Sequence, residues 1–163
     1  MIDLGLIEKS NMALYGAQAS GSSPITTAVK KESDVIAPVI PNTIAHSIAI
    51  GNPADGYYSV KAINNSGGCA EDVSDDELVE GIKLLASTEG IFTETAGGVT
   101  GAVTKKLIEQ GKLPRDESIV ICITGNGLKT LEAVMDKVEK PCVIDANIES
   151  FNAIMEKREV CTA

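Results

Sequence analysis

Thr124, Gly125, Asn126 and Gly127 close the apolar run Ile119-Val120-Ile121-Cys122-Ile123, and this junction is where the residue types first suggest chemistry. A hydroxyl at the carboxyl end of a strand stands where open α/β sheets receive ligands, and closely spaced glycines let backbone approach a flat molecule without a Cβ in the way. The same residues also make an ordinary tight corner between strand and helix. Other chemistry-bearing residues are sparse. His46, the single histidine, lies among small apolar residues without a second histidine or an obvious carboxylate partner, which fits an exposed or locally bonded imidazole better than a catalytic one. Glu71, Asp72, Asp75, Asp76 and Glu77 could suggest a metal site, yet a helix dipole accounts for acids in a first turn. Cys69, Cys122, Cys142 and Cys161 form no CxxC pair, so reduced thiols are expected and neither zinc nor disulfides are. Glu94 falls at the mouth of a helix.

The elements that must position these groups alternate. Five consecutive apolar residues, mostly β-branched, predict a strand over 119–123 covered on both faces, as in the middle of a parallel sheet. Further strands are expected over 11–18, 69–73 and 142–145. Helices are expected after Ser23-Pro24, from Asn42 or Thr43 to Ala49, and from Asn52-Pro53 to Ser66-Gly67-Gly68, with at least one of Tyr57 and Tyr58 facing inward. Ser74-Asp75-Asp76-Glu77 is a capping box, so a helix must follow it, with Leu78, Val79, Ile82, Leu85 and Ala86 on one face and Gly90 as its stop. Another helix carries Val99, Val103 and Leu107, one more carries Leu128, Leu131, Met135 and Val138, and a last one presents Ile148, Phe151, Ile154 and Met155. Residues 1–9 read as the end of a helix cut from something longer. The alternation predicts an α/β fold, three-layer αβα, with a mostly parallel sheet of about four strands in a single domain over 1–163.

Composition narrows the function classes. At 163 residues, with 44% hydrophobic and 23% charged content, the chain suits one folded domain, and 3% aromatic content leaves a core of Ile, Val, Leu and Ala. A net charge of -9, with no Lys/Arg cluster, opposes binding to nucleic acid or to anionic membranes. No stretch approaches the length of a membrane span, and a cytoplasmic setting is expected.

Three ordered stretches carry a resemblance: 41–54 (PNTIAHSIAIGNPA), 88–98 (TEGIFTETAGG) and 124–129 (TGNGLK). Together they resemble threonine synthase, a pyridoxal-phosphate enzyme of the tryptophan synthase β-like fold type, over nearly the whole chain but only the carboxyl-terminal part of the family's usual length. The resemblance implies that Thr124 lies beside the pyridine nitrogen of pyridoxal phosphate and that Gly125 borders the ring. It implies, too, that Gly51 and Asn52 belong to a loop on the cofactor and substrate side. Glu94 matches a family glutamate usually followed by Pro-Ala; Thr95 replaces that proline here, so Glu94 either shapes the pocket or caps a helix. No catalytic residue and no metal ligand is assigned, because the family's Schiff-base lysine context, substrate-carboxylate loop and phosphate loop are not found in this sequence. The implied role is one side of a pocket for conversion of O-phosphohomoserine and water to threonine and phosphate, inactive alone. A missing amino-terminal part or a partner chain is expected, and a homodimer is compatible with this. The alternatives are a non-catalytic truncated module that binds a partner chain, or a piece of a related enzyme such as cysteate synthase.

Overall fold

The computed structural model describes residues 1–138 and 141–161. β1 (Gly16–Ala19) and β2 (Ala70–Val73) pair in parallel, with Gly16 opposite Ala70 and Ala19 opposite Val73. Among the described residues, five α-helices accompany them: α1 (Pro24–Lys30), α2 (Gly56–Asn65), α3 (Asp75–Glu89), α4 (Thr95–Glu109) and α5 (Ile148–Cys161). Successive strand side chains point to opposite faces, and both faces are covered. Ala17 and Ala19 pack on the core of Leu78, Val79, Ile82, Val99, Val103 and Leu107 from α3 and α4. On the other face a Cβ added at Gly16 would lie 2.9 Å from Ile63 Cδ1 of α2, and the Thr26 amide of α1 donates to Gln18 Oε1 at 2.9 Å. The α/β class and its parallel pairing therefore stand.

The strongest local signals gave their elements. Ser74 accepts from the Glu77 amide at 3.2 Å while the Glu77 carboxylate accepts from the Ser74 amide at 2.6 Å, which completes the capping box; Gly90 closes α3 with φ +67°. α3 and α4 cross closely because glycine lines the crossing: a Cβ at Gly98 would lie 2.6 Å from the Leu78 carbonyl oxygen, and one at Gly81 would run into the Gly98 carbonyl. This crossing fixes the direction of α4, whose first residue follows Glu94.

Several expectations need correction. Among the described residues the sheet has two strands rather than about four. Residues 119–123 and 142–145 are unpaired, because an apolar run becomes a strand only where a neighbour supplies backbone partners, and none of the described residues does so. The first strand begins at Gly16 rather than at Asn11. The helix expected near Thr43 is only a 3-10 turn, His46–Ile48, and the one after Asn126 is a 3-10 stretch, Gly127–Ala133, kinked at Thr130. Residues 1–9 form turns and bends with every residue exposed, not a helix. Tyr57 and Tyr58 are both exposed; their rings meet edge to face at 5.5 Å, and Val60 and Ile63 supply the buried face of α2 instead.

Candidate functional site

The corner after residue 123 is fastened to the segment that opens α4. Thr93 and Asn126 form an antiparallel bridge, the Gly127 amide donates to the Phe92 carbonyl at 2.9 Å, and the Glu94 amide donates to the Gly125 carbonyl at 3.0 Å. That carbonyl also accepts from Thr93 Oγ1 at 3.1 Å, and the Thr95 amide donates to Thr130 Oγ1 at 3.1 Å. Asn126 Oδ1 accepts from the Leu128 amide at 2.9 Å and so caps the 3-10 stretch. Both glycines are demanded by this packing. A Cβ at Gly125 would run into the Glu94 carboxylate, and one at Gly127 would lie 2.6 Å from the Phe92 ring.

Glu94 is the electrostatic centre of the corner. It is 3% exposed, and its Oε2 makes no hydrogen bond but lies 2.9 Å from Lys129 Nζ, a charge pair between a buried carboxylate and an ammonium on a side chain 63% exposed. As residue preceding α4 it occupies the capping position, yet its side chain makes no cap bond. The carboxylate turns to Gly125 and Lys129 instead, so shaping the corner is the reading the geometry supports. Thr95 Oγ1 beside it is also buried without a hydrogen-bond partner among the described residues. Thr124 is exposed at the rim, and its hydroxyl makes no hydrogen bond among the described residues.

The structure thus joins Thr124, Gly125 and Glu94. Gly51 and Asn52 stand apart. The Val39 amide donates to the Gly51 carbonyl at 3.0 Å, and a Cβ at Gly51 would run into the Val39 carbonyl, so Gly51 is a packing glycine beneath a loop. Asn52 is exposed, and among the described residues no hydrogen bond ties either to the Glu94 corner. His46 is exposed, in keeping with its omission from the site. Lys129 and Thr93 are the residues that sequence reasoning passed over. Lys129 closes the TGNGLK stretch, and Thr93 lies 32 residues from its partner Gly125, a separation that no local pattern spans.

A family model described as pyridoxal-phosphate dependent enzyme matches residues 4–125. The chain belongs to the pyridoxal-phosphate dependent enzyme family. It is 43% identical over 145 residues to the threonine synthase of Methanocaldococcus jannaschii, covering 88% of this chain and 36% of that protein. To the threonine synthase of Methanosarcina acetivorans it is 43% identical over 139 residues, covering 85% and 34%. The chain therefore spans about a third of the length of the curated relatives it matches. A fungal L-serine ammonia-lyase from Rhizomucor miehei shares the fold at TM-score 0.60 and 20% identity, covering 78% of this chain and 42% of that one. Maize serine racemase does so at TM-score 0.55 and 20% identity, covering 77% and 39%.

Pyridoxal phosphate is the cofactor of this family in the complete enzyme. The residues present fit one edge of it. Thr124 offers a free, neutral hydroxyl at the rim of a corner held rigid from behind by Glu94, which suits a ring nitrogen. Of the lysines, Lys30, Lys83, Lys105, Lys106, Lys112, Lys129 and Lys137 are paired with carboxylates.

Proposed function

We propose that this chain is a threonine synthase-like segment that contributes the ring-nitrogen side of a pyridoxal-phosphate pocket, for conversion of O-phosphohomoserine and water to threonine and phosphate. The observation that carries the reading is the corner itself: the Thr124 hydroxyl is free while the backbone behind it is bound to Thr93 and Glu94. The identity to two threonine synthases supports the substrate class. When bound, the cofactor supplies an electron sink for carbanions of the amino-acid substrate. Thr124 would place a hydrogen bond at the ring nitrogen, and a neutral hydroxyl, unlike a carboxylate, does not keep that nitrogen protonated. Gly125, which would border the ring through its backbone, leaves behind the corner the room that the Glu94 carboxylate fills, and Glu94 with Lys129 holds the corner still, so the hydroxyl does not have to be ordered when the ring arrives. Gly51 and Asn52 remain candidates for the substrate side of the same pocket.

Alone, the chain is expected to be inactive. The second reading, a non-catalytic module that binds a partner chain, rests on lysines held by carboxylates, Lys30, Lys83 and Lys105 among them, rather than in a cofactor context. A chimera separates the two. Replacing the matching segment of the Methanocaldococcus jannaschii threonine synthase by this chain should give a protein that releases phosphate from O-phosphohomoserine and forms threonine. A folded chimera that binds pyridoxal phosphate and forms no threonine would refute the substrate assignment, and turnover of another phosphorylated amino acid would redirect it to an enzyme such as cysteate synthase.

A further inference from the structure

Three acids open α3, and the helix dipole and cap account for only some of what they do. Glu77 closes the capping box with Ser74, and Asp76 lies 3.4 Å from Lys137 Nζ with its own side chain 90% exposed. Asp75 bonds outside the helix. Half-buried, its carboxylate accepts from the Thr43 hydroxyl at 2.5 Å through Oδ1 and from the Ile44 amide at 3.1 Å through Oδ2, across 32 and 31 residues. Thr43 Oγ1 in turn accepts from the Ala45 amide at 3.2 Å, so one carboxylate orders three consecutive residues. They begin a loop that lies at the end of the sheet where ligands are received. Gly21 stands two residues past β1 and Asp75 two past β2, both at carboxyl ends of strands. The Asn42 amide donates to the Gly21 carbonyl at 2.9 Å, which pins the loop at β1 as Asp75 pins it at β2. From Ile44 an unbroken series of backbone turns runs on to Ile50, with bonds of 2.8 to 3.2 Å, and Ala45 is buried in the core beneath it. The Val39 amide then closes the loop on the Gly51 carbonyl, and Asn52 follows, exposed.

We propose that Asp75 is the positioning residue of this loop: its carboxylate fixes residues 43–45, the turns carry that constraint to Gly51, and Asn52 is held in place before the substrate arrives. A carboxylate suits the task because it accepts two bonds at once in a fixed fork, and both donors belong to irregular backbone with no strand or α-helix of its own to order it. The inference rests on the reading of Gly51 and Asn52 as the substrate side of the pocket. The tie between Asp75 and the loop is separate from that reading, and each has its own measurement.

Amide exchange in this chain measures the tie, and kinetics of the chimera with the Methanocaldococcus jannaschii enzyme measure its use. Asp75→Ala should speed exchange about tenfold at Ile44, which loses its acceptor, and severalfold at Val39, whose acceptor is Gly51 at the far end of the loop. Glu77 should exchange as in the wild type, because its amide is held by Ser74. Thr43→Val should reproduce the effect at Val39 and Thr43→Ser should not, while Asp76→Ala should change none of these amides. In the chimera, Asp75→Ala should raise KM for O-phosphohomoserine about fivefold with kcat within about twofold, the pattern of lost binding rather than lost chemistry. Faster exchange at Ile44 with none at Val39 would overturn the proposal, since Asp75 would then be a local tie only, and so would an unchanged KM. Should Asp75→Ala also speed Glu77, the helix end is lost and the Thr43→Val and Thr43→Ser pair decides. A chimera inert toward O-phosphohomoserine refutes the substrate reading alone; exchange at Val39 then decides for or against Asp75.

Discussion

Glu94 and Gly125 depend on each other. Gly125→Ala would push a methyl group into the Glu94 carboxylate, so the corner must shift, and a loss of about 1 to 3 kcal/mol is expected in urea unfolding of this chain. Lys129→Met should leave the buried carboxylate unpaired and cost about 1 to 3 kcal/mol, while Lys129→Arg restores most of it; equal midpoints for all three proteins would mean that the pair contributes nothing. The corner at 124–127 was legible in the sequence because it needs only an apolar run followed by two glycines. Its fastening was not. Thr93 and Lys129 reach Gly125 and Glu94 across 32 and 35 residues, and long-range pairs leave no periodic trace.

At the scale of elements, α3 with its own end signals and the two strands that find each other, β1 and β2, were readable, whereas the apolar runs 119–123 and 142–145 and the helices expected near Thr43 and after Asn126 were not. The capping box and Gly90 bound α3 from within the chain, whereas the 119–123 segment has the composition of a strand and no neighbour among the described residues. The crossing of α3 and α4 gives a sharp test, since Gly98→Ala would set a methyl group 2.6 Å from the Leu78 carbonyl. About 1 to 3 kcal/mol of destabilisation is expected, against well under 1 kcal/mol for a substitution at exposed Ser87. β2 carries a second one. Burial pushes the Glu71 carboxyl up, but hydrogen bonds from the Lys30 ammonium, the Asp72 amide and Gln110 outweigh it and hold it at about 2. Because the folded value lies below the unfolded one, this stabilisation is complete above about pH 4.5 and is lost as pH falls toward 2. Glu71→Gln should therefore cost about 2 to 3 kcal/mol at pH 7 and converge with the wild type near pH 2, as read by urea midpoints against pH. Parallel curves for the two proteins would show that Glu71 is not the group that titrates.

For the whole molecule, a two-stranded sheet covered on both faces lies in a chain that spans about a third of the length of the relatives it matches. Borohydride reduction of this chain with pyridoxal phosphate should label no single lysine stoichiometrically; one fully labelled buried position, found by peptide mapping, would show that the chain carries its own cofactor lysine. The central claim is that Thr124 faces the ring nitrogen, and nitrogen NMR of pyridoxal phosphate labelled at that atom, bound in the chimera with the Methanocaldococcus jannaschii enzyme, measures it directly. With Thr124 the signal should be that of an unprotonated, hydrogen-bonded pyridine nitrogen; Thr124→Val should move it by loss of the hydrogen bond, and Thr124→Asp should move it to the protonated range. One unchanged signal across all three proteins would contradict the placement and leave the TGNG turn as a corner alone.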